Sequence, residues 1–310
     1  MRAPAYPLRR AGWRSARRTV VLATLLALVA LVVPPASVRD VGASLVRVRT
    51  AQGVDHPRSV VWVLCLGSDA RAGQQRNETR ADAIQLVGLN LDTGAGTMIG
   101  IPRDSYVEIP GHGRDKINSA LAYGGPQLVA TAVGRLVGVR PDYVFTTGFL
   151  GFRAMVRAIG GVTVRSRFAF SDAVRPQGYR VGRNALNPFQ ALIFGRVRHP
   201  LPNGDFDRSG NQQELLRGIL RKVRVRRSQP GFMEGGVLAS VAALDTDLSP
   251  SELFRLAQAA TGIEPARLEG CVVGGSTGYA GAASVVFPDV AQARRIGADA
   301  RRDGTLDRGC

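Results

Sequence analysis

Residues 60–66, VVWVLCL, carry no charge, and Gly67-Ser68-Asp69-Ala70-Arg71 follows them at once. An apolar run of this length, rich in β-branched residues and closed by turn formers, predicts a strand buried on both faces. Such a strand needs a sheet covered on two sides. Residues 83–91 and 97–101, split by a Gly-rich turn, continue the strand pattern, and 143–147 and 283–287 repeat it. Helical periodicity runs through 126–137, 149–159, 188–196, 210–227 and 289–302. Ser249-Pro250-Ser251-Glu252 has the form of a capping box with proline at the first helical position, opening a helix to about residue 260. This alternation predicts a mixed α/β fold. Cys65 lies inside the first strand and reads as core.

The chain's 310 residues, 45% of them hydrophobic, suffice for one large domain or two small ones and exclude global disorder. Its 41 Lys+Arg against 24 Asp+Glu leave a net charge of +17, which alone would suit nucleic acid, an anionic membrane or a phosphate-bearing substrate. Location separates these. Arg2, Arg9, Arg10, Arg14, Arg17 and Arg18 precede an apolar stretch at 19–33, with no acidic residue before Asp40. That is the pattern of an inside-positive signal anchor, with a cleaved export signal as the alternative. We expect a cytoplasmic basic tail at 1–18, a single transmembrane anchor at 19–38 and a linker at 39–57, with the rest extracytoplasmic at the cell membrane. The remaining excess is nearly all arginine, since Lys116 and Lys222 are the only lysines. Cys271 and Cys310 can pair in an oxidising compartment or stay free.

Polar chemistry gathers in two stretches. Asp69 leaves the first strand and Arg80-Ala81-Asp82 enters the second, so two carboxylates at neighbouring strand ends can converge on a hard cation while arginines hold phosphate oxygens. Ile101-Pro102-Arg103-Asp104 and the Arg114, Lys116 segment add cations near the same ends. About ninety residues on, Arg196 and Arg198 follow an apolar helix, and Arg208 and Gln212 are one helical turn apart. Taken alone, these are equally an ordinary salt-bridged loop and a solvated helix start.

The strings LGSDAR at 66–71, RAD at 80–82, IPRD at 101–104, DKIN at 115–118, YGGP at 123–126, RVRH at 196–199 and DFDR at 205–208 occur in the order and spacing of the LytR-CpsA-Psr family, and the chain resembles that family over about 60–223. The resemblance implies an α-β-α sandwich with a catalytic domain at 58–230 and a C-terminal part, 231–310, packed on it. It also implies a membrane-anchored phosphotransferase. Such an enzyme moves a glycopolymer, teichoic acid or arabinogalactan among the candidates, from a polyprenyl diphosphate carrier to a muramic acid hydroxyl of peptidoglycan, forming a phosphodiester. Carried over, Asp69 and Asp82 match magnesium-binding aspartates. Arg80, Arg103, Arg196, Arg198 and Arg208 match diphosphate-binding arginines, Gln212 the glutamine beside them, and Lys116 falls in a basic motif. With Arg103, Asp82 and Asp104 are the catalytic candidates, either carboxylate serving as base. A diphosphatase on the same lipid and a non-enzymatic envelope regulator are the alternatives. Two positions depart from the family: Ala83 stands where a threonine is common, and Asn211 where a further arginine is.

Other motifs fail. Gly274 to Gly278 fits G-x-S-x-G, but His56, His112 and His199 all precede it, against the order of a hydrolase triad. Gly94, Gly96 and Gly100 miss the dinucleotide spacing. No helix-turn-helix signature supports a nucleic-acid partner. The basic run 221–227 suits either an anionic surface or a solvated helix end.

Overall fold

The computed structural model describes residues 42–51, 53–55, 60–71, 74–172, 175–232, 244–307 and 309–310. The expected tail and anchor at 1–38 lie outside them, and among the described residues no helix is long and apolar enough to cross a membrane. In chain order, β1 (Ala43–Arg47), β2 (Val60–Ser68), β3 (Ala81–Asn90) and β4 (Gly96–Gly100) lead to a hairpin of β5 (Tyr106–Ile109) and β6 (Gly113–Lys116). Helix α1 (Ser119–Val137), β7 (Tyr143–Thr147), α2 (Phe149–Ala158), β8 (Val162–Ser166), β9 (Gly182–Leu186), α3 (Pro188–Phe194) and α4 (Asp205–Arg226) follow. The chain then forms β10 (Asp245–Thr246), α5 (Pro250–Gly262), β11 (Leu268–Val272), a hairpin of β12 (Gly275–Ala280) and β13 (Ala283–Pro288), and α6 (Val290–Asp303).

Seven strands form one mixed sheet in the order β10-β1-β7-β2-β3-β4-β11. β2 lies at its centre, parallel to β7 and antiparallel to β3. Strand alternation sends Trp62, Leu64 and Leu66 to one face, among Val129 and Val133 of α1 and Ile296 of α6. Val61 and Val63 go to the other, against Leu253 and Leu256 of α5. Both faces of β2 are thus covered, which is why its sequence reads as an unbroken apolar run. A separate cluster joins α2, α3, β8 and β9 through Val156, Phe194, Val162 and Leu186.

Several boundaries differ from expectation. Residues 43–47, within the stretch read as a linker, form β1 of the central sheet, and β10 and β11 bring residues beyond 231 into it. The C-terminal part thus contributes two strands to the central sheet. These strands are short, and Ser44 and Arg47 dilute the apolar signal of β1. Helix α1 begins seven residues before the expected Pro126, because a first turn from Ser119 is broken at Gly124-Gly125, where Gly125 takes φ +63. Helix α4 begins at Asp205 rather than Gly210, with Asp205 and Asp207 in the first turn, where the helix dipole favours negative charge. Ser249 does cap α5, accepting from the Glu252 N–H. Within the basic run, Arg224 and Arg227 close the end of α5, donating to the carbonyls of Ile263 and Thr261, each at 2.7 Å. Cys271 and Cys310 form a disulfide with their Cα atoms 5.4 Å apart.

Candidate active site

The register of β2 against β3 shifts between Gly67 and Ser68, re-aiming the chain as it leaves the sheet. The connection closes at its neck, where the Asp69 N–H donates to the Arg80 carbonyl (3.1 Å) and the Arg80 N–H donates to Asp69 Oδ1 (3.0 Å). The end of β4 is stitched to the same place. The Asn118 N–H donates to the Arg103 carbonyl, and the Ala81 N–H to the Asn118 carbonyl, each at 3.2 Å. These backbone bonds bring Asp82, Arg103 and the end of β6 together.

Arg103 ion-pairs with Asp82 and reaches Asp104 through Nε at 3.8 Å. Asp104 also holds Lys116 at 3.2 Å and Arg198 at 3.7 Å, so one carboxylate gathers three cations from three parts of the chain. Burial works against the Arg103 charge, but Asp82, with Asp104 and Asp205 behind it, outweighs burial and raises its pKa. From α4, Arg208 pairs with Asp205, both side chains more than nine-tenths buried. Burial dominates in this pair, pushing the Asp205 carboxyl up and the Arg208 guanidinium down. Both Asp205 oxygens lack a hydrogen bond of good geometry.

These groups head a cavity of about 460 Å³ whose far walls include Phe149, Phe152, Leu192, Val197 and Leu215. Asp82, Arg103, Arg196, Arg198, Arg208 and Gln212 line it, as does Ala83, one of the two departures from the family pattern. Arg196 and Arg198 both reach it from the turn after α3. Arg196 lies over the Phe149 ring at 4.3 Å, a cation–π contact. Asp104 and Lys116 join by ion pairs, and Asp69 and Arg80 stand at the β2–β3 neck outside the lining. Asn211 is buried in α4, its amide 3.4 Å from the Phe194 carbonyl.

Sequence reasoning missed what holds Gln212. Gln85, 2% exposed on β3, donates to Ser209 Oγ at 2.8 Å and to Gln212 Oε1 at 3.2 Å, while Gln212 Nε2 donates to the Gly195 carbonyl at 3.1 Å. A lone glutamine in the apolar stretch AIQLVGL was the available signal. Helix α4 sits close because Gly100 and Gly270 leave room: a Cβ on either would fall 2.3 Å from Ser209 Oγ or Gln213 Oε1. Gln213 uses the gap to donate to the Cys271 carbonyl at 2.8 Å.

Asp69 and Asp82 offer only hard oxygen donors, and among the described residues no group of three or more metal-ligating side chains occurs. Two carboxylates completed by phosphate oxygens and water suit magnesium, which keeps waters and seldom uses an all-protein cage. The donor type, hard carboxylate oxygen, is the one that ion takes.

Fold and site together define a mixed-sheet α/β protein that concentrates arginine at the head of an apolar cavity. The chain belongs to the LytR_cpsA_psr family, whose profile matches residues 40–301. It is 38% identical over 163 residues to the polyisoprenyl-teichoic acid–peptidoglycan teichoic acid transferase TagU of Bacillus licheniformis, covering 52% of this chain and 51% of that one. The chain spans about half the length of the curated relatives it matches first. Its fold is similar to the crystal structure of B. subtilis TagU, with TM-score 0.60, 26% identity, and 81% and 99% of the two chains covered. It is also similar to TagT bound to LIIa-WTA, with TM-score 0.64, 25% identity, and 79% and 91% covered.

Proposed function

We propose that this protein is a phosphotransferase that moves a glycopolymer from a polyprenyl diphosphate carrier to a hydroxyl of peptidoglycan, breaking the P–O–P bond of the carrier, forming a phosphodiester and releasing polyprenyl monophosphate and the hydroxyl proton. The observation that carries this reading is the junction of Arg103, Arg198 and Arg208 with the apolar cavity. A diphosphate on a hydrocarbon chain needs both environments side by side. The names of the relatives, teichoic acid transferases acting on a polyisoprenyl-linked donor, support it.

Transfer of a phosphoryl group to a hydroxyl needs positioning and charge neutralisation more than covalent chemistry. Arg103, Arg198 and Arg208 hold the diphosphate oxygens, and guanidinium forks do so in a bidentate way. Arg196, steered by Phe149, adds a further cation at the cavity wall. Asp104 is the positioning residue, since releasing it would free Arg198 and Lys116 to drift. Asp82 lines the cavity and pairs with Arg103, which holds that guanidinium at the head of the site. Asp69 and Asp82 would hold magnesium, which supplies Lewis-acid withdrawal of charge from phosphate oxygens. Arg80, at the neck beside Asp69, completes the charged rim. The basic flank before residue 19 and the Cys271–Cys310 disulfide support a single-pass membrane protein with this site outside the cytoplasm.

Incubating a radiolabelled lipid-linked polymer with purified peptidoglycan tests the reading. Label bound covalently to the wall supports transfer. Release of free polymer phosphate alone overturns it in favour of hydrolysis.

A further inference from the structure

Beside the diphosphate site stands a cluster that none of the roles above uses. Tyr123, large and 47% exposed, stacks on His112 of the β5–β6 turn with ring centroids 4.6 Å apart and planes 11° apart. Its hydroxyl donates to Asp115 Oδ2 at 2.7 Å, and Asp115 Oδ1 accepts from the Lys116 N–H at 2.7 Å. The break at Gly124-Gly125 ends the short turn that carries the ring. Tyr123 is thus held in a fixed pose in the open, which core packing does not require.

Its position matters. The next residue of the hairpin, Lys116, holds Asp104 at 3.2 Å, so the cluster adjoins the reacting groups. None of His112, Asp115 and Tyr123 lines the apolar cavity. Arg80 lies near enough for its charge to favour the ionised Asp115, and Arg114 sits 5.1 Å from the centre of the Tyr106 ring on the same hairpin. A rigid exposed aromatic face offers a sugar ring a surface for its C–H side. The carboxylate beside it accepts hydroxyl and amide protons, and Arg80 meets anions.

We propose that His112, Tyr123 and Asp115, flanked by Arg80, form a subsite for the acceptor, an amino-sugar glycan strand bearing carboxylates on its peptide stems. The inference rests on the transferase reading and deepens it. It places the acceptor on the hairpin side of Asp104 and leaves the cavity to the lipid. Charge complementarity with Arg80, whose charge acts on both Asp115 and Tyr123, selects this occupant, because the stems carry carboxylates.

Binding can be read without turnover, so its failure is separable from failure of the transferase reading. Full-length protein in lipid nanodiscs is titrated with a peptidoglycan tetrasaccharide carrying its peptide stems, and saturation-transfer NMR is recorded on the sugar protons. Saturation of the sugar C–H protons is expected in the wild type. Affinity should fall about five- to tenfold in Tyr123→Ala and in His112→Ala, and stay within about twofold in Tyr123→Phe, which keeps the ring. His112 is exposed on the hairpin turn, so His112→Ala keeps the test open should Tyr123→Ala fail to fold. Wild-type affinity in both alanine variants, or no saturation in the wild type, would overturn the subsite.

Discussion

Replacing Arg208 by methionine isolates the energetics of the buried pair at the head of the site. The substitution keeps length and apolar volume but leaves the Asp205 carboxylate, 9% exposed, without its counter-ion and with no well-formed hydrogen bond to either oxygen. Orphaning a buried ion in this way costs about 3–5 kcal/mol. Asp205 also lies in the first turn of α4, where the helix N-terminus returns about 0.3–1 kcal/mol to a negative charge. The expected loss is then about 2–4 kcal/mol, a fall in Tm on the order of 10 °C for a domain of this size. The pH dependence has a definite sign. Burial already holds the folded pKa of Asp205 above its unfolded value, and removing Arg208 raises it further. The folded state therefore binds the extra proton, and the Arg208→Met deficit should shrink as pH falls from 7 toward 5 and grow as pH rises through the folded pKa. Thermal melts of the wild type, Arg208→Met and Arg208→Met/Asp205→Asn at both pH values measure this, and the double variant should recover most of the loss. A single variant that melts with the wild type, or a double variant no better than the single, refutes the claim that burial of an unpaired charge sets the cost.

Gln85→Leu removes the donor that holds Gln212 and Ser209, so KM for the lipid-linked donor should rise about three- to tenfold with little change in kcat, read by steady-state transfer. Cys310→Ser opens a loop with 39 residues of sequence separation, and the denaturant midpoint should report a loss of about 4 kcal/mol, reproduced in the wild type by reductant. Asp69→Asn should leave the fold intact, seen as an unchanged melting curve without added metal, while raising the magnesium concentration for half-maximal transfer by about tenfold or more. Equal magnesium curves for the two proteins would remove Asp69 from the ion's site.

How much of this was legible beforehand differs by kind of residue. β2 and β7 were visible because both faces of a central strand demand apolar side chains, and Tyr143–Thr147 matches its expected bounds. β1 and β11 were not, since a strand of five residues carries too few inward positions to stand out from a loop. Arg103, Arg198 and Arg208 were found through the motif strings, and the structure brings them to one cavity. Their spacing alone shows nothing of this, because α1 to α3 intervene and only tertiary packing brings residue 103 near residue 198. Arg80 and Asp69 remained at the neck because the β2–β3 backbone pairing spends their local geometry on closing a loop. Gln85 and Ser209 escaped because neither meets solvent or substrate. Such residues signal only by being polar where the pattern calls for apolar.

Gln213, seated over the glycines at 100 and 270, has a consequence for how the protein comes to be competent. Its amide reaches a carbonyl of the β11 backbone, so α4 cannot slide or rotate by one residue without stranding a buried donor. That helix carries Arg208 and Gln212, while Asp82 and Arg103 belong to the sheet and its edge loops. The separation between the two halves of the anion cradle is therefore set once, during folding, like the spacing of a keyed joint. On the proposed reading, an arriving diphosphate would meet charges already at their working distance, and the energy of its binding would not be drawn down by assembling them.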